Sequence, residues 1–188
     1  MKNILLLTML FMSGYTALSQ EIPAAPVDKA VVYFARTSSL GFAINFTYFD
    51  SATAIARTSG ANYVRYECTP GPHLFWGRSE NKDFVEAELE AGKIYFIEVV
   101  PQMGALKAAI RLNPVNPATE EKVMKRILKL LGKKQSELIT PEEQEKETAH
   151  FQEVIARGLE KYKEEKAKGE VINRLEKNMF YNTDKPAQ

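Results

Sequence analysis

Tyr66-Glu67-Cys68-Thr69-Pro70-Gly71-Pro72-His73-Leu74-Phe75 is the stretch on which the fold class turns. Pro70-Gly71 sets a reversing turn, because proline fixes the first central torsion and glycine accepts the positive one. The aromatic and β-branched residues on either side favour extended pairing. The stretch therefore reads as a hairpin, and Glu90-Ala91-Gly92-Lys93-Ile94-Tyr95-Phe96 repeats the grammar downstream.

Outward from this turn the chain continues in short strands. Val64, Tyr66 and Cys68 share one face, and Val85, Ala87 and Leu89 alternate with Glu86, Glu88 and Glu90, the period-two pattern of a half-buried strand. Ala30 to Ala35 is a β-branched and aromatic run. Ile44, Phe46 and Tyr48 alternate with Asn45 and Thr47, and Ala54-Ile55-Ala56 reads as a further short strand. Ile94 to Val100 is apolar almost throughout, as a central strand covered on both faces must be, and Leu106, Ala108, Ile110 and Leu112 complete the series. Strands at this spacing with no helix between them predict a mainly β fold, an antiparallel β-sandwich of about seven or eight short strands.

The pattern changes beyond Pro114. Asn116-Pro117 predicts a helix start, with Val123, Ile127, Leu130 and Leu131 at helical spacing up to Gly132. Thr140-Pro141-Glu142-Glu143 combines a capping box with proline at the first helical position, and Phe151, Val154, Ile155, Leu159 and Tyr162 form the stripe of a second helix. Val171 to Tyr181 reads as a third, short helix. The sandwich is thus followed by a C-terminal α-helical extension.

At the N-terminus Lys2 precedes the apolar stretch Ile4 to Met12 and the small-residue pattern Ala17-Leu18-Ser19, which reads as a secretory signal cleaved after Ser19. A spanning helix needs about 20 apolar residues, and this stretch breaks at Ser13-Gly14. The expected organisation is a signal peptide over 1–19, a leader over 20–28, the sandwich over 29–113, the helical extension over 114–181 and a disordered tail over 182–188. The product is expected to be exported, periplasmic or secreted. It is not expected to be a lipoprotein, because the single cysteine, Cys68, lies far from the cleavage site.

The strand from Lys29 to Arg36, the Pro70-Gly71-Pro72-His73 turn and the Glu90 to Tyr95 segment resemble a family of bacterial envelope proteins, domain of unknown function twenty-eight forty-six, over about residues 29 to 113. The resemblance implies a β-sandwich and an envelope location, and attaches no catalytic role to either motif. The helical extension lies outside it.

Chemistry-bearing residues are few. With 25 Lys plus Arg against 24 Asp plus Glu, a formal charge of +1 makes no global case for nucleic acid. His73 and His150 are the only histidines, and no zinc-type spacing or acidic calcium loop is present, so no metal or other cofactor is expected. Cys68 and His73 flank the turn and form the sharpest enzymatic idea, the nucleophile and base of a hydrolase. Its structural alternative is a small buried hydrophobe beside a turn residue. Glu86 and Glu88 share a strand face as a glycosidase pair could, or simply as a solvated face.

Tyr63 and Trp76 fall out of phase with the apolar faces of their strands and are the binding candidates, as rings for stacking on a sugar or gripping a peptide. Their alternative is cover by the tail helices. Lys122, Arg126, Lys129 and Lys133 line one side of an amphipathic helix, a candidate contact with an anionic membrane surface or a partner. The function expected is a non-enzymatic envelope module with a binding or structural role, its partner an envelope protein or glycan. Peripheral membrane attachment through helix 118–133 is the alternative.

Overall fold

The computed structural model describes residues 22–103, 108–137 and 139–183. The segment expected to be a signal peptide, Leu106 and the end of the tail from 184 lie outside the described residues.

Among the described residues, eight strands precede three helices and a ninth strand. They are β1 (Ala30–Arg36), β2 (Asn45–Asp50), β3 (Thr53–Ser59), β4 (Asn62–Cys68), β5 (Gly71–Arg78), β6 (Lys82–Leu89), β7 (Ile94–Met103) and β8 (Ala108–Val115). Then follow α1 (Glu121–Leu131), α2 (Pro141–His150), α3 (Gln152–Ala167) and β9 (Asn173–Leu175). One sheet has the order β4-β1-β7-β8, the other β3-β2-β5-β6-β9, and the two do not close into a barrel. The β-sandwich with helices after the strands is the architecture read from the sequence. Five of the seven ladders are antiparallel; β1 with β7 and β6 with β9 run parallel, so both sheets are mixed.

Between the sheets, one face of each strand supplies a common core of Val32, Phe34, Phe46, Tyr48, Phe75, Val85, Ile97 and Leu112, among others. β1 is buried along its whole length because its other face, Val31, Tyr33 and Ala35, is covered as well. The cover is α1, whose Met124, Ile127, Leu130 and Leu131 pack there with Phe96 and Val115. On the far side, Phe49, Ala54, Trp76 and Phe84 form an outer apolar face covered by Phe151 and Ile155. Four layers result, helix, sheet, sheet and helix pair, and each fully buried aromatic side chain adds about 2 to 3 kcal/mol of apolar transfer.

The Pro70-Gly71 turn is a corner and not a hairpin. β4 pairs with β1 in one sheet, while β5 pairs with β2 and β6 in the other. The reason lies in Pro72. In a hairpin turn over Thr69 to Pro72 the last residue's N–H would bond the first residue's carbonyl, and proline has no N–H. His73 Nε2 bonds the Thr69 carbonyl instead, at 2.8 Å, and the chain crosses between sheets with Gly71 at φ +115°.

Two expectations for the tail are corrected. The helix after Thr140 is broken at Phe151 (φ −96°, ψ 12°), which turns that ring edge-on to Phe49 at 5.8 Å. Val171 to Tyr181 is not a helix. Gly169 (φ +73°) ends α3, and β9 pairs along β6, Val85 with Asn173 and Ala87 with Leu175. An open strand edge outweighs weak helical periodicity here, because every ladder bond it offers is otherwise unmade.

The remaining edges are met by side chains and, on β4, by one backbone N–H as well. Asn81 bonds both the N–H and the carbonyl of Ile110 on β8, Asp83 accepts from Leu112 N–H at 2.6 Å, and Asn173 donates to the Leu112 carbonyl. On β4, Ser136 accepts from Arg65 N–H and Glu137 N–H donates to the Tyr63 carbonyl. On β3, Thr148 accepts from Ala54 N–H.

Candidate functional site

The corner at Pro70 gathers Tyr66, Cys68, His73 and Asp50 at one end of the inter-sheet space. His73 Nδ1 lies 2.7 Å from Asp50 Oδ2, its Nε2 is held by Thr69, and the ring stacks on Phe75. Tyr66 donates its hydroxyl to the same carboxylate at 3.3 Å. Burial opposes a charge on the imidazole, but the bonds to Asp50, Cys68 and the Thr69 carbonyl outweigh it and raise the His73 pKa to about 10. Both ring nitrogens therefore donate, and the ring is an imidazolium at neutral pH. Both nitrogens are committed to oxygen partners, Nδ1 to Asp50 and Nε2 to Thr69, and the buried thiol of Cys68 sits 3.9 Å from the Ala30 carbonyl.

The two aromatic candidates are not exposed, which corrects their expected placement. Tyr63 is 7% exposed and Trp76 fully buried, and they stand on different sheets. Phase put them correctly outside the inter-sheet core, and the tail covers both. Tyr63 lies under α1, with its hydroxyl directed to the Lys134 carbonyl at 3.3 Å. Trp76 stacks on Phe49 at 3.9 Å, donates to the Ser51 carbonyl, and faces the backbone of α3 at Gly158.

On α1 the apolar stripe is spent on docking. Arg126 reaches back to the buried Glu98 at 3.1 Å, where Thr37 also donates, so this arginine anchors the helix to the sandwich. Lys122, Lys129 and Lys133 remain exposed. Glu86 likewise serves the tail. It accepts from Tyr162 (2.6 Å) and Lys166 (2.7 Å), which hold its carboxyl below the usual range, and Glu88 stays exposed.

The arrangement that sequence reasoning missed lies on the outer face of the second sheet, where α2 meets α3. Thr47 pairs with Arg57 on β3 and with Arg78 on β5, so the three form one cross-strand row, arginine, threonine, arginine. Beside this row opens a groove of about 400 Å³, walled by Phe151 and His150 from the helices and by Ile44 from the start of β2, with Glu80 among its lining residues. The only sequence signal for it was two arginines, one inside β3 and one at the end of β5, and it becomes visible once register is known.

Among the described residues no group of three or more His, Cys, Asp or Glu side chains could hold a metal ion, and no helix is long and apolar enough to cross a membrane. No family, curated protein or solved structure matches the chain.

Proposed function

We propose that this protein is an exported, non-enzymatic β-sandwich module of the cell envelope with a binding or structural role. The observation that supports the non-enzymatic part is the burial of Cys68, with both ring nitrogens of His73 spent on Asp50 and the Thr69 carbonyl. The resemblance over residues 29 to 113 and the signal-like N-terminus support the compartment, and the tail helices, docked on both outer faces, support a rigid platform.

Thiol labelling of the folded protein tests the first point. Cys68 is expected to react only as fast as the protein unfolds; rapid labelling at neutral pH that depends on His73 would overturn the reading. In-cell crosslinking tests the second, with one recurrent envelope protein or glycan as the expected outcome and random capture as the refuting one.

Attachment to an anionic membrane surface is a second reading, supported by the exposure of Lys122, Lys129 and Lys133. Without a free apolar stripe it would be purely electrostatic, so sedimentation with anionic vesicles should vanish at high salt and in Lys129→Glu/Lys133→Glu.

A further inference from the structure

We propose that the groove over Arg57, Thr47 and Arg78 binds a small acidic ligand, and that the two guanidinium groups grip a single compact oxyanion, a carboxylate or a phosphate monoester. The proposal deepens the binding-module reading and rests on it.

Three observations carry it. First, the row is electrostatically incomplete. Neighbouring strands lie about 4.8 Å apart, so the two arginine Cα atoms stand roughly 10 Å apart on one face, with flexible stems that can converge over Thr47. Four arginines elsewhere are engaged, while Arg111 and Arg157 stand apart from one another on β8 and α3: Arg36 donates to the carbonyls of Leu40, Gly41 and Ile44, Arg65 pairs with Glu67, Arg126 with Glu98 and Arg174 with Glu176. Arg57 and Arg78 make no ion pair or side-chain hydrogen bond among the described residues. Two like charges facing one recess are relieved by an anion placed between them, and the guanidinium fork matches a planar carboxylate or a phosphate edge.

Second, the residue between them is built into the sheet. Thr47 is 5% exposed and lines the groove, so a ligand oxygen seated between the arginines would have its hydroxyl beneath it.

Third, the groove has the size and mixture of a small-molecule site. Its volume of about 400 Å³ falls within the range of known ligand clefts, roughly 300 to 1,000 Å³. Ile44 and Phe151 offer apolar wall for the body of the ligand, and His150 offers a further ring nitrogen. Glu80, also on the lining, cancels part of the positive charge, which favours one compact anion over a polyanion such as a nucleic acid backbone.

The test is amide and arginine-side-chain NMR on the mature protein at low salt, titrated with glucose 6-phosphate, glucuronate, inorganic phosphate and, as the neutral control, glucose. Saturable shifts are expected at Thr47, Arg57, Arg78 and His150 with the acidic probes and none with glucose. Shifts with glucose 6-phosphate but not glucuronate assign the anion as phosphate; the converse assigns carboxylate. Response to inorganic phosphate alone, equal to that with either sugar acid, assigns a free-ion site and overturns the small-ligand claim.

Arg57→Gln and Arg78→Gln should each weaken binding about 10-fold or more, the loss of one charge-assisted pair. His150→Ala, on an exposed helix end, provides a variant that leaves the sheet untouched and should weaken it less. The proposal is overturned if no acidic probe shifts the row, or if the shifts persist unchanged in folded Arg57→Gln/Arg78→Gln, or if they map to Lys122, Lys129 and Lys133. The parent reading is judged separately: if crosslinking of the native protein and of the double variant retrieves the same envelope partner while no acidic probe binds, the groove is refuted and the binding module stands, whereas random capture refutes the binding module itself.

Discussion

Raising the pH above neutrality should cost this protein stability through one side chain, His73. Its imidazolium is held by Asp50 at 2.7 Å and by the Thr69 carbonyl at 2.8 Å, and the folded pKa is raised from the ordinary 6.5 to about 10. Between those values the folded chain keeps a proton that the unfolded chain has released, so stability falls as pH rises. The contribution is complete below about 6.5 and gone above about 10. At about 1.4 kcal/mol per pH unit the whole interval amounts to at most about 5 kcal/mol, a large share of the 5 to 15 kcal/mol typical of a domain.

The assay is urea unfolding of the native protein and of His73→Gln at a series of pH values, since the difference between them isolates this group from the lysines and tyrosines that titrate nearby. The difference should shrink by about 3 kcal/mol between about pH 7 and pH 9.5. Asp50→Asn should move the fall to lower pH, because it removes the carboxylate that raises the pKa. A difference that stays flat over this interval, or His73 ring protons that titrate near 6.5, would refute the reasoning.

Three further outcomes follow from the packing. Gly158→Ala places a Cβ 2.5 Å from the buried Trp76 ring, so despite a better helix former it should destabilise by about 1 to 2 kcal/mol; Trp76, the only tryptophan, should shift its emission to the red, and a gain of stability would mean α3 does not sit there. Glu86→Gln should flatten the acid limb of stability, since a carboxylate with a lowered pKa contributes above its unfolded value near 4.5 and loses that contribution as pH falls through the folded one; proteolysis of the tail near pH 4 reads it. Arg36→Leu removes the donors for three loop carbonyls and the cation over Phe46, and should cost about 3 kcal/mol with faster hydrogen exchange across residues 38–44.

Much of the sandwich was legible because both periods were clean. β7 read as a doubly buried run and is so, β1 read as a β-branched and aromatic run and is buried on both faces, and the phase of Tyr63 and Trp76 placed them on outer faces. What local sequence could not show was pairing. The turn at Pro70 looks like a hairpin until one asks which N–H would close it, and Pro72 answers that none can. Asn173 to Leu175 carries no strand signal of its own, because its conformation is dictated by the edge of β6. The groove was illegible for the same reason: Arg57, Thr47 and Arg78 are far apart in the chain and become one row only through two ladders.

The late position of β9 bears on how the chain is made. Synthesis runs from the N-terminus, so β1 to β8 exist before residues 151–175 have appeared, and through that interval the β6 edge is bare and the Phe49–Trp76 face has no lid. The sandwich is finished last, by its most distant sequence. A message or product cut short before Leu175 yields not a smaller version of the molecule but a sticky one, with an open template for other strands and an uncovered aromatic surface.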